Sequence, residues 1–279
     1  GKKDVPYGVI LSFPETKNRQ ILLKISFSDA GFSNSEKNIS AECSSWNFDA
    51  FRQANQEKWN RQLSVIEIND PSEERKTIFY NALYHSLLMP WIVSDSQGYY
   101  KGKDDKIHQA QGENEYGAFS PWDTFRSLHP LLCLLAPNRQ NDMIRSVLDE
   151  FDQSGHLPKG PMTGLHIVPI ITDTYAKGIR KFDQGKALRA TLTTLQRNAE
   201  KENDFAQYIQ QGYVSYDFQE SVTRTMEYAY DDWAVAQMAK QVNDTAVYRQ
   251  FNGQSANYQK LFYPESKFFL PRKDNNFLP

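Results

Sequence analysis

Five carboxylates of this 279-residue chain stand where they could do chemistry. Glu227 and Asp231, within Thr225-Met-Glu-Tyr-Ala-Tyr-Asp-Asp-Trp233, are four apart and share one helix face, while Asp232 and Trp233 turn away. Such a pair can bind hydroxyls, bind a cation, or divide acid and base work. Two like charges at this spacing repel by a few tenths of a kcal/mol on an exposed helix, so a cation must offset them, Arg224 or Lys240 being the ordinary candidates. A second stretch, Gly164-Leu-His-Ile-Val-Pro-Ile-Ile-Thr-Asp173, puts His166 and Asp173 seven apart inside an apolar segment, two helical turns on one face. Burying both requires hydrogen bonds, from a polar pocket or from the core itself. The third, Phe119-Ser-Pro-Trp-Asp-Thr-Phe-Arg126, sets Trp122, Asp123 and Arg126 at the mouth of an apolar helix. Flat apolar ring, carboxylate and guanidinium together suit a sugar subsite. The alternative is that Trp122 fills core and Asp123 caps the helix.

These groups need rigid elements to hold them. Ser120 is a good N-cap and Pro121 a good first helical residue, so one helix is expected from there through Leu135. Helical spacing continues over residues 47–63, 72–88, 141–153, 163–177 (kinked at Pro169), 184–199, 218–242 and 245–262. Residues 91–120 and 200–216 read as polar connections, and 263–279 as extended chain. The first 46 residues differ in texture: 7–13 and 19–27 read as two short strands, too few for a domain of their own. The fold class is therefore mainly α, with paired helices wrapped into a closed toroid rather than a solenoid, behind strands that complete a sheet formed elsewhere.

Composition excludes several classes. Net charge is −2 with no long run of one sign, against nucleic acid as a partner. No stretch approaches the roughly 18 apolar residues of a membrane span. Cys43 and Cys133 suggest neither a disulfide framework nor a metal site. No GxGxxG, P-loop, GxSxG or HExxH pattern occurs. Residues 38–40 and 243–245 match the glycosylation triplet. No signal peptide follows Gly1-Lys-Lys-Asp, so the N-terminus does not give the compartment.

In order along the chain, Phe79-Tyr-x-x-Leu-Tyr84, Ser120-x-Trp-Asp-Thr-Phe-Arg126, His129-Pro-Leu-Leu132, Gly155-x-Leu-Pro158, Asp173-x-Tyr-x-Lys-Gly178 and Thr225 to Trp233 resemble glycoside hydrolase family 92. The segment near Lys159 departs from that pattern in lacking a tryptophan. The resemblance implies the last strands of a β-sandwich over residues 1–46, a helical linker over 47–72 and the first part of an (α/α)6 catalytic barrel over 73–279, so a partial (α/α)6 barrel. It implies an exo-acting, inverting, calcium-dependent α-mannosidase, α-1,2-mannosidase-like, that takes a mannose-containing oligosaccharide or glycan in the periplasm or outside the cell. The family's catalytic acid and base, and most calcium ligands, are expected C-terminal to Pro279. Trp122, Asp123, Arg126, His166 and Asp173 carry over as substrate-binding residues, with Glu227, Asp231 and Asp232 in a motif of mainly structural role. Two other readings stay open: a glycan-binding remnant without chemistry, and an unrelated (α/α)6 hydrolase with Glu227 or Asp231 as its acid.

Overall fold

The computed structural model describes residues 10–13, 20–274 and 276–278. The two expected N-terminal strands fall partly outside these. Their described parts, 10–13 and 20–27, have no ladder partner and are irregular. A strand exists only by pairing, and the described residues supply no neighbour. Next comes a helix that sequence reading places in the sandwich, α1 (Phe32–Glu42). Asn38 on it is buried, its amide donating to Phe27 O and its Oδ1 accepting from Ser96 N–H, so this glycosylation triplet is spent on structure.

Helix starts follow their caps. Asn47 accepts from the Ala50 N–H ahead of α2 (Phe48–Leu63), and Ser72 from the Arg75 N–H ahead of α3 (Glu73–Ser86). The long polar connection is not a bare loop. It folds into two antiparallel pairs, β1 (Trp91–Ile92) with β4 (Tyr116–Gly117), and β2 (Tyr99–Lys101) with β3 (Ile107–Gln109).

The expected helix from Pro121 to Leu135 is broken into α4 (Pro121–Thr124) and α5 (Leu128–Leu135). Pro130 explains the break: inside a continuous helix its ring would strike the carbonyl of residue 126, whereas in the first turn of a new helix its missing N–H costs nothing. The chain continues with α6 (Pro137–Ser154) and α7 (Ile167–Ala176). α7 starts four residues later than expected, which puts Pro169 in its first turn and removes the expected kink. α8 (Gln184–Lys201) is followed by a helix that sequence reading misses, α9 (Asn203–Gln211). Last come α10 (Ser221–Gln241) and α11 (Thr245–Gln254), a 3-10 turn, and two tiny hairpins: β5 (Phe262–Tyr263) with β6 (Phe268–Phe269), and β7 (Arg272–Lys273) with β8 (Asn276–Phe277).

Three helical hairpins, α5–α6, α7–α8 and α10–α11, lie side by side, with α5, α7 and α10 in one layer. This is part of an (α/α)6 barrel. The core runs between the layers, from Ile144 and Val147 through Ile167, Ile170 and Ile171 to Ala234, Val235 and Met238. α7 is almost wholly buried, as an inner helix should be, but α5 leaves Leu134 75% exposed. Among the described residues no helix is long and apolar enough to cross a membrane.

Candidate functional site

The starts of α5, α7 and α10 bring the candidate residues together. Breaking the helix after Thr124 frees Phe125 and Arg126 to reach sideways. The Phe125 ring lies 4.5 Å from the His166 ring, centroid to centroid, and the Arg126 guanidinium covers the Phe125 ring at 4.8 Å. Arg126 Nη2 then makes a long 3.5 Å contact with Glu227 Oε1, a residue 101 positions away.

His166 is the junction. It precedes α7, is 1% exposed, and has a carboxylate on each ring nitrogen. Nδ1–H donates to Asp231 Oδ1 at 2.6 Å, and the other Asp231 oxygen accepts the Leu165 N–H at 2.5 Å. Glu227 Oε2 lies 2.7 Å from Nε2, off the N–H axis, as an ion contact rather than an aligned hydrogen bond. Burial alone would push the imidazole pKa down. The Asp231 bond, the Glu227 contact and both charges outweigh it and bring it up to about 9. Contact with His166 chiefly holds Glu227 below the usual carboxylate range, against burial and with help from Arg126. Complete burial pushes Asp231 up while His166 and the Leu165 N–H pull it back. With carboxylates on both nitrogens, the shared proton sits on the imidazole. Glu227 and Asp231 do share a face and do need a cation. It is His166, with Arg126 on Glu227, and not Arg224, which pairs with Asp204 at 2.5 Å.

Above this group opens a cleft of about 730 Å³, walled by Arg126, Asp173, Glu227, Tyr230, Trp233 and Gln237 among others. The Tyr230 and Trp233 rings are stacked nearly parallel, their planes 21° apart and their centroids 5.9 Å apart, and both residues are over a third exposed. Asp173 is held by Lys177 one turn on, so it does not share a bond with His166. Of the residues expected to touch substrate, Arg126 and Asp173 line this cleft and His166 lies beneath its floor. Trp122 is half-buried and Asp123 exposed outside it. The Ser120 hydroxyl donates to Asp123 Oδ2 at 2.5 Å instead of capping a backbone N–H. Asp232 faces the core, accepting the Tyr208 hydroxyl at 2.5 Å, and burial brings its carboxyl up to about 7. Sequence reading missed Tyr230, whose only signal was its place between Glu227 and Trp233 on one helix. Among the described residues no three His, Cys, Asp or Glu side chains come together as ligands for a metal ion.

The Glycosyl hydrolase family 92 catalytic domain matches residues 34–278. A family GH92 α-mannosidase of Bacteroides thetaiotaomicron is 31% identical and superposes with a TM-score of 0.83, over 90% of this chain and 35% of that one. The same enzyme has also been solved in complex with mannoimidazole. A GH92 inverting mannosidase of the same species is 29% identical with a TM-score of 0.80, over 88% of this chain and 36% of that one. An uncharacterized secreted glycosidase of Arthroderma benhamiae is 23% identical over 275 residues, 90% of this chain and 31% of the relative. The chain spans about a third of the length of these relatives.

Proposed function

The chain belongs to glycosyl hydrolase family 92, and we propose that it forms the sugar-holding wall of an exo-acting, inverting α-mannosidase of the α-1,2 type. The observation that carries this is the cleft, where a stacked aromatic pair, an ionised carboxylate and an arginine face one space. Tyr230 and Trp233 offer an apolar surface to the C–H face of a pyranose. Glu227 accepts from sugar hydroxyls, while Arg126, Gln237 and Gln241 donate to its oxygens.

Inverting hydrolysis needs a protonated carboxylic acid at the leaving oxygen, and a carboxylate that activates water on the opposite face. Glu227 is held ionised by His166 and Asp173 is tied to Lys177, so neither is poised as the acid. The acid and base are assigned to residues outside these 279. Calcium belongs to the same reading, although among the described residues no three His, Cys, Asp or Glu side chains gather as ligands for it. A mannose-containing glycan, met in the periplasm or outside the cell, is the substrate.

Two assays test this. Titration with mannose or deoxymannojirimycin should saturate, with glucose weaker. Hydrolysis of α-1,2-mannobiose by this chain should be negligible with calcium or with a chelator. No saturation by mannose contradicts the sugar-holding role, and robust turnover contradicts the placement of the acid and base.

A further inference from the structure

A cation that cannot touch substrate lies directly under the cleft. His166 is 1% exposed, and Phe125 covers its ring at 4.5 Å. Its two ring nitrogens meet two carboxylates, Asp231 Oδ1 at 2.6 Å and Glu227 Oε2 at 2.7 Å. An imidazolium has two N–H groups: Nδ1–H is hydrogen-bonded to Asp231, and Nε2–H meets Glu227 as an ion contact. A lysine or arginine here would bury three or five, leaving some unpaired at a cost. The backbone makes room for this ring. Gly164 has a φ of +87°, and a Cβ there would come within 2.6 Å of His166 Cε1 and 2.9 Å of Asp231 Oδ2.

We propose that His166 is a positioning residue that fixes Glu227 as an ionised hydroxyl acceptor for the bound sugar, with Asp231 fixing His166 in turn. This rests on the mannoside reading of the cleft. Glu227 Oε2 is committed to His166. Among the described residues Oε1 has only the long contact to Arg126, whose side chain is 61% exposed, so it remains available to a hydroxyl. The charged and titratable groups around the pair are few. α10 supplies Asp231 and Tyr230, with Asp232 behind; α7 supplies Asp173 with Lys177; the segment between α4 and α5 supplies Arg126. Without the imidazolium, Glu227 would keep its partial burial and its like-charged neighbour Asp231, and both raise a carboxyl pKa. Lowering the pH would then neutralise it. With the imidazolium in place, Glu227 stays charged across the neutral range.

The test measures mannose affinity of the full chain by calorimetry at about pH 5, 6.5 and 8, for wild type, His166→Gln and Glu227→Gln. Ring-nitrogen NMR shifts of His166 are followed in the same buffers. Wild type is expected to bind with a constant affinity, within roughly two-fold, and to show imidazolium shifts throughout. His166→Gln is expected to bind roughly three-fold or more weaker at pH 5 than at pH 8, and Glu227→Gln weakly at every pH. A role confined to stability would weaken His166→Gln equally at all pH values, and that flat profile overturns the proposal. So do shifts of a neutral imidazole at pH 7. Should His166→Gln fail to fold, the NMR shifts and Glu227→Gln decide. Failure of the mannoside reading itself looks different, because wild type would then bind no mannose at any pH.

Discussion

Replacing Asp231 with alanine removes a carboxylate that serves two buried donors, the Leu165 N–H at 2.5 Å and His166 Nδ1–H at 2.6 Å. An unpaired buried N–H costs about 1–3 kcal/mol. Removing one partner of a buried ion pair costs about 3–5 kcal/mol. The two losses share one carboxylate and do not add, and Glu227 still faces the second ring nitrogen. Asp231→Ala is therefore expected to lose about 3–4 kcal/mol. Asp231→Asn keeps an oxygen for the Leu165 N–H and should lose about half as much. Asp49→Ala is the control, because its 3.3 Å pair with Arg52 is exposed on both sides and worth under about 0.5 kcal/mol. Urea unfolding at pH 7 measures all three as shifts of midpoint at unchanged slope. The sign of the pH dependence follows from His166, whose pKa is raised on folding: its contribution is full below about 6.5 and is lost as pH rises through about 9. The gap between wild type and Asp231→Ala should therefore narrow as pH rises from about 6.5 to about 9. A loss below about 1 kcal/mol with the same slope would refute the ion-pair reasoning.

Gly164→Ala should cost at least as much as a strained left-handed residue, about 1–3 kcal/mol, because its Cβ also meets His166; thermal unfolding measures it. Tyr208→Phe strips Asp232 of its donor and should cost about 1–3 kcal/mol at pH 8, and less at pH 5 where that carboxyl is protonated. Wild-type stability should fall from pH 5 to pH 9. Asp232 at about 7 and Glu115 at about 8 are raised above their unfolded values and lose stability as pH rises towards those values, and His166 adds its own loss towards about 9. Denaturant midpoints across that range check it, and a rising curve contradicts it. Trp233→Ala should leave unfolding nearly unchanged, since the ring is 46% exposed, while weakening mannose binding by roughly five-fold in a titration.

Asn47, Ser72 and Asp244 cap the starts of their helices through bonds between neighbours, whereas Ser120, the expected cap, bonds Asp123 instead. The shared face of Glu227 and Asp231 was legible from a spacing of four. Their counter-ions were not, since His166 and Arg126 come from 61 and 101 positions away and no local pattern ties them to α10. The break before α5 and the late start of α7 share one cause that the apolar pattern hid, a proline that tolerates only the first turn. α9 is short, and only Phe205 and Tyr208 anchor it among polar residues, so its periodicity was too brief to register. The strands within 91–117 are two or three residues long, below what alternation can reveal.

The most direct measurement is an amide and side-chain NMR titration of the chain with mannose, read residue by residue. Saturable shifts should gather on the Trp233 indole, the Arg126 guanidinium, Glu227 and Gln237, with glucose moving them less. Shifts confined to Trp122 and Asp123 with the cleft silent, or no saturable shift at all, would contradict a mannose-holding cleft between α7 and α10.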